Sequence, residues 1–264
     1  MPDFLKLQPS VWVGSLIRMR SMDLNADIGE GGRQDAALIA LVSSANIACG
    51  GHAGDESSMR AAIDACLAAG VVIGAHPGYV DPAHFGRREL DLVPGAVADL
   101  VTRQVSRMVE MAARAGGSVH HVKPHGALYQ QADRDPSLAA AVAEAVARIL
   151  PGCGFYVPPA GQLALAGADA GLRVSAEGFM DRRYAENGQL VSRVLPDAVI
   201  DDVDSAVSQA LEIAFNHRVR TVAGTSFPLY AQTLCVHGDS PNAIEILRAV
   251  RLALIDAGFK IQAP

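Results

Sequence analysis

Residues 22–29 read MDLNADIG, and the conformation of this stretch decides the fold. In a β-strand, side chains alternate, so Asp23, Asn25 and Asp27 share one face while Leu24, Ala26 and Ile28 share the other. The apolar face must meet helices, which turns the two acids and the amide toward a sheet interior or a barrel axis. Barrel interiors are normally filled by branched apolar residues. A buried carboxylate without a partner is costly, so partners are expected from other strands.

Downstream, short β-like runs alternate with helical patterns. A helix is expected near Asp35–Ser43. ANIAC precedes DESSMRAAIDACLAAG, where Met59, Ile63, Cys66 and Leu67 recur at helical spacing. VVIGAH leads through a long loop to a helix with Pro94 near its start and Gly116 past its end. VHHVKPHG precedes DPSLAAAVAEAVARIL, and GFYVPP precedes a weak helix around Gln162–Ala168. RVSAEGF precedes an irregular stretch and a helix at Val203–Asn216; TLCVHGD precedes SPNAIEILRAVRLALIDAG. Val219–Tyr230 reads as a small β-hairpin packed on the body.

Seven strand–helix units without a linker imply a parallel sheet covered by helices. Periodicity alone does not separate a closed barrel from an open sheet. No glycine-rich dinucleotide fingerprint follows the first strand, and the segment lengths favour one (β/α) barrel domain, residues 22–264, over two domains. Residues 1–21 read as an N-terminal extension, disordered or loosely packed, with Met19 or Met22 beginning the ordered chain. Their apolar run Val11–Ile17 is interrupted by Gly14 and Ser15 and is too short to span a bilayer.

Among the 264 residues, half are hydrophobic and the net charge is −6, with no Lys/Arg run. That balance argues against nucleic-acid and anionic-membrane partners. The four cysteines, Cys49, Cys66, Cys153 and Cys235, are widely spaced and form no CxxC, as expected of reduced thiols in a cytoplasmic protein.

The carboxyl ends of the strands carry polar chemistry. The second strand ends at Asn46 and reaches His52 within SANIACGGHAGD, the third ends at His76, and the fourth runs into Lys123 and His125. The sixth reaches Glu177, then Asp181 and Arg182, and the seventh ends in His237 and Asp239. In parallel α/β folds, sites assemble at this end. His84, His120 and His217 fall elsewhere. Each element also has a structural reading: Asp55 as a helix N-cap, Pro77 and Gly78 as turn formers, Arg87 and Arg88 as a surface pair rather than an anion site, Glu177 as an Arg182 partner.

The stretches DLNADIGE, SANIACGGHAGD, GAHPGY with FGRRE after it, HVKPHGALY, AEGF and CVHGD occur in this order, and with them the sequence from Met22 onward resembles the LamB/YcsF family of 5-oxoprolinase A-type subunits. Two departures are visible: a short GGRQD segment after GE, and Gly51 where many members carry an aromatic residue that can wall the pocket. The resemblance implies a seven-stranded parallel β/α barrel of the glycoside hydrolase/deacetylase type. It also implies ATP-dependent opening of 5-oxoproline to L-glutamate together with two partner subunits, of B and C type. No GxxxxGK[ST] phosphate loop occurs here, in keeping with partners that handle the ATP.

Lactam hydrolysis needs an activated water, a stabilised oxyanion and a proton for the leaving nitrogen. Asp27 with His52 or His76 suits water activation; His125 or His237 suits proton donation. Lys123 or Arg182 suits the substrate carboxylate or the oxyanion, with Asn25, Asn46 and Asp239 as further substrate contacts. Glu177 can orient Lys123 or act as an alternative base. Asp27, His52 and His76 also have the ligand types of a divalent-metal site with positions open to water. Two alternatives stand beside this reading: a stand-alone metal-dependent deacetylase or amidohydrolase, and a non-catalytic lactam-binding subunit.

Overall fold

The structure, a computed structural model, describes residues 20–193, 195–240 and 242–264. The expectation for residues 1–19 lies outside the described residues. In chain order the first half comprises β1 (Arg20–Ile28), α1 (Asp35–Ile39), β2 (Ser44–Ala48), α2 (Glu56–Ala69), β3 (Val72–His76), α3 (Pro94–Arg114) and β4 (Val119–Val122). Then come α4 (Gly126–Arg134), α5 (Pro136–Ile149), β5 (Gly154–Val157), α6 (Gln162–Asp169) and β6 (Arg173–Phe179). The chain ends with α7 (Val203–Asn216), β7 (Arg218–Arg220), β8 (Ser226–Pro228), β9 (Thr233–Val236), α8 (Ala243–Asp256) and β10 (Phe259–Ile261).

Seven parallel strands close into a barrel in the order β1-β2-β3-β4-β5-β6-β9, with β9 pairing back onto β1. The expected seven-stranded β/α barrel is therefore the observed one. β7 and β8 form the antiparallel hairpin expected from Val219–Tyr230. β1 begins at Arg20, and Arg20–Met22 pair with the short β10, a strand that the sequence pattern did not signal.

Leu24, Ala26 and Ile28 are fully buried in the outer core between barrel and helices. Asp23, Asn25 and Asp27 point inward, and the barrel axis is a polar column. Ser43, Ser44 and Thr233 donate hydroxyl hydrogen bonds of 2.6–2.7 Å to the Asp23 carboxylate. One layer up, Asn25 donates to Glu177 (3.0 Å) and to Thr233 (2.7 Å), and its Oδ1 accepts from Asn46 (2.7 Å). His121 reaches Asn46 Oδ1 (2.8 Å) and stacks on Tyr156 with centroids 4.0 Å apart. A Cβ at Gly74 would sit 2.0 Å from His121 Nε2, so glycine at this point of β3 makes room for the ring.

Two elements depart from the sequence pattern. α1 stops at Ile39 instead of continuing to Ser43, because Ser43 is drawn to β1, where its hydroxyl binds Asp23 and accepts the Leu24 amide (3.0 Å). α4 was not expected: it follows His125 directly and is separated from α5 only by Asp135, whose carboxylate caps α5. Asp55 is the N-cap of α2, in a reciprocal capping box with Ser58. Among the described residues no helix is long and apolar enough to cross a membrane.

Candidate active site

The carboxyl ends of the strands enclose a cavity of about 150 Å³, lined among others by Asp27, His76, Lys123, His125, Arg182 and His237. Asp27 is the uppermost polar residue of β1. Its Oδ1 accepts from Lys123 Nζ (3.0 Å) and Asn46 Nδ2 (2.9 Å), and its Oδ2 lies 3.4 Å from His76 Nε2. Burial opposes the Asp27 charge, but His76 and Lys123 outweigh it and hold the carboxyl well below the usual range.

Lys123 is 3% exposed and clamped between Asp27 and Glu177 (2.9 Å), with Cys235 Sγ at 3.1 Å. Burial works against its charge, yet Asp27, Cys235 and Glu177 raise it well above the ordinary lysine value. These contacts take up the ammonium hydrogens, so Lys123 acts as a fixed charge. Glu177 therefore pairs with Lys123 and not with Arg182.

Above Asp27 lies a second group. Glu30, His52, His76 and His125 each offer one ligand atom, all within 4.8 Å of one another. Glu30 Oε1 is 2.9 Å from His52 Nε2, 3.4 Å from His125 Nδ1 and 3.9 Å from His76 Nε2. The rings are locked from outside: His76 Nδ1 donates to the Lys123 carbonyl (2.7 Å) and His125 Nε2 to the Phe85 carbonyl (2.9 Å). In the neutral rings those donations leave His76 Nε2 and His125 Nδ1 without hydrogens, 3.0 Å apart. Burial, with His52 and His76 beside it, keeps His125 well below the usual imidazole value. The two nitrogens thus face each other next to a carboxylate, an arrangement that either a proton or a metal cation relieves. Ligands at about 2.0–2.1 Å around a tetrahedral divalent ion stand about 3.3 Å apart, close to the separations seen here. The outer nitrogen of His52 has no hydrogen-bond partner, whereas metal-bound histidines usually have one there. The group fits a cation through Glu30, His76 and His125 better than through His52.

His237 is built differently. Its Nδ1 lies 3.0 Å from Asp181 Oδ2, its ring stacks on Phe179, and it faces the cavity. Asp181 is fully buried and also accepts the His237 amide (3.0 Å). Despite burial, His237 keeps the Asp181 carboxyl below its ordinary value. A buried carboxylate that fixes one imidazole nitrogen and leaves the other facing a cavity is the usual arrangement for proton transfer. His125 lacks it, since its Nε2 is committed to Phe85 and its Nδ1 to the ligand group.

Asp239, expected as a substrate contact, has its carboxylate engaged by Arg87 (2.6 Å) and Arg193 (2.7 and 3.0 Å). Asn25 and Asn46 sit below the cavity and brace Asp27 and Glu177. Arg87 and Arg88 separate, Arg87 lining the cavity and Arg88 lying 3.5 Å from Asp81.

The model of the LamB/YcsF family matches residues 22–264. The chain belongs to the LamB/YcsF family. It is 45% identical over 250 residues to the A-type 5-oxoprolinase subunit of Tolumonas auensis, covering 93% of this chain and 100% of that protein. The lactam utilization protein of Thermus thermophilus superposes with a TM-score of 0.86 at 40% identity, covering 92% of this chain and 100% of that structure. A substrate-bound T48 deacetylase shares only 14% identity over 92% of this chain and 87% of its own, at a TM-score of 0.50, which shows a shared barrel fold.

The motifs behind the LamB/YcsF resemblance converge at the barrel mouth. Sequence reasoning missed Glu30 as a site residue although it closes the DLNADIGE motif; the position just beyond a strand whose inward face is acidic was the available signal. It missed His121 as well, masked by its exposed neighbour His120. Arg193 lies in the irregular stretch after β6, where no periodicity marks it. Gly51 proves not to be a missing pocket wall: a Cβ there would meet the Gly78 carbonyl at 2.6 Å and Gln104 at 2.7 Å, against α3.

Proposed function

We propose that this chain is the lactam-opening subunit of an ATP-dependent 5-oxoprolinase, converting 5-oxoproline to L-glutamate with two partner subunits that handle ATP. The observation that carries the reading is the meeting, in one cavity, of the Asp181–His237 pair and the ionised, tightly braced Asp27. Opening an amide requires a proton acceptor for the attacking water and a proton donor for the departing nitrogen. Asp27 accepts the proton of a water aimed at the lactam carbonyl carbon. His237, held by Asp181, gives a proton to the ring nitrogen as the carbon–nitrogen bond breaks. Lys123 keeps Asp27 charged and in place. The names of the two similar proteins, one a lactam utilization protein and the other part of an oxoprolinase, support the substrate class.

Glu30, His76 and His125, with His52 beside them, would hold a divalent cation. A cation there supplies Lewis acidity for a carbonyl oxygen and acidifies a bound water. This geometry favours a second reading, a metal-dependent amidohydrolase that works without ATP.

The test is reconstitution with the two candidate partner subunits, scoring glutamate released per ATP consumed. The proposal expects glutamate only in the complete mixture and its loss with His237→Ala. Full turnover with His237→Ala would instead mark the chain as a carrier. Robust turnover by the metal-loaded chain alone, without ATP, would establish the second reading.

A further inference from the structure

We propose that Arg87, Arg182 and Arg193 form an oxyanion subsite at the mouth of this cavity, which takes a carboxylate or phosphoryl group on the substrate. All three line the same cavity as His237 and Asp27. Arg182 is 3% exposed; its Nη2 donates to the Val191 carbonyl (2.6 Å), while its Nε is buried with no partner. Arg193 spends Nη1 on both oxygens of Asp239, leaving Nε and Nη2 buried and unpartnered. Arg87 uses Nη2 on the same carboxylate.

The nearby acids do not balance these charges. Asp239 serves two arginines at once, Asp181 is engaged by His237 and Ser240, and Glu89 is held by Arg134. Three guanidinium groups therefore share one available carboxylate. Guanidinium donors buried beside a cavity without partners are costly unless a ligand completes them, and their planar fork matches a carboxylate or phosphate. Burial, Arg193 and Arg87 pull Arg182 down to about 10, so it is still cationic at neutral pH.

The assignment of the ligand to a lactam rests on the function proposed above; the oxyanion site itself does not. The experiment is calorimetric titration of the full chain with 5-oxoproline, with inorganic phosphate and with uncharged 2-pyrrolidinone. Binding of at least one anion is expected, at least about tenfold tighter than 2-pyrrolidinone, with Arg193→Gln weakening it about tenfold or more. Tighter binding of 5-oxoproline than phosphate identifies a carboxylate subsite, and the reverse identifies a phosphoryl subsite. Arg87→Gln, at a more exposed position, provides the same comparison should Arg182→Gln or Arg193→Gln fail to fold. Absence of anion binding by the wild type, or equal anion affinity in the folded variants, would overturn the proposal. Anion binding by a chain that opens no lactam in the complete system would leave the subsite standing and remove only the proposed function.

Discussion

Replacing Lys123 by methionine tests the polar column directly. The ammonium sits 3.0 Å from Asp27 and 2.9 Å from Glu177, and both carboxylates are almost completely buried. Methionine fills much of the same space but removes the cation that stands between the two acids. Breaking a buried pair by removing one partner costs about 3–5 kcal/mol. For a chain of this size, 1 kcal/mol moves Tm by about 2 °C, so the expected fall is about 6–10 °C.

The loss should also depend on pH in a defined sense. In the wild type, Asp27 is held below its unfolded value, so it contributes stability above about pH 4 that is lost as pH falls through the folded value. Without Lys123 the paired acids favour protonation, and the penalty is greatest at neutral pH and shrinks in mild acid. Thermal unfolding followed by circular dichroism at about pH 7.5 and about pH 5 reads both effects. The double variant Lys123→Met, Glu177→Gln should recover part of the lost stability. A Tm within about 2 °C of wild type at neutral pH, or a loss equal at both pH values, would refute the reasoning.

Other outcomes follow from the same geometry. In the reconstituted complex, His237→Ala should lower turnover about 10²–10⁴-fold in protein that still folds, as read by circular dichroism, and Asp181→Asn should lower turnover as well because the ring is no longer fixed by a carboxylate; unchanged kinetics in both would remove His237 as proton donor. Elemental analysis of protein purified without chelator should find about one divalent ion per chain, lost in His76→Ala; if it is bound at about 100 times its Kd, chelation removes about 2.7 kcal/mol, seen as a lower Tm. Burial pushes Asp133 up to about 6, against the Leu163 amide and Arg134. Its folded pKa lies above its unfolded one, so ionisation penalises the fold increasingly as pH rises from about 4 to about 6 and fully above that. Asp133→Asn keeps the acceptor for Leu163 and should raise Tm at about pH 7.5 but not at about pH 4; a gain of the same size at both values would contradict this assignment.

How far the sequence carries depends on whether the relevant physics is local. The alternation in MDLNADIG settled which face of β1 looks inward, because strand period 2 leaves no freedom once Leu24, Ala26 and Ile28 must meet helices. The helices α2, α3, α5 and α7 were legible through apolar period and end signals such as Pro94 and Asp55. α4 was not, since its short span carries mainly polar residues and its buried Ala127, Leu128, Tyr129 and Ala132 make no long apolar stripe. At the site, residues on strand ends were legible because parallel barrels bring those ends together. The partners were not: that Glu177 binds Lys123, or that Asp239 binds Arg87 and Arg193, depends on contacts between segments far apart in the chain. Role choice fails for the same reason. His125 and His237 look equivalent in HVKPHGALY and CVHGD, and only the distant Asp181 and the Phe85 carbonyl distinguish them.

The polar axis explains why so small a cavity can hold its charges in fixed positions. Asp27 is placed by Asn46 and Lys123, Lys123 by Glu177, Glu177 by Asn25, and Asn25 by Thr233, which also binds Asp23 at the base. Each link is a hydrogen bond or ion pair between residues on, or just beyond, different strands, so the position of Asp27 is set by closure of the barrel. An apolar interior would be more stable residue for residue, because buried ion pairs rarely repay their desolvation. What the column supplies instead is orientation: a carboxylate kept charged and aimed, in a site where a small displacement carries a large kinetic cost. The loops then bring Glu30 and His52 on one side and Arg87, Arg193 and Asp239 on the other. A braced carboxylate below and charged loop residues above are the arrangement that the proposed opening of a small, ionised lactam would use.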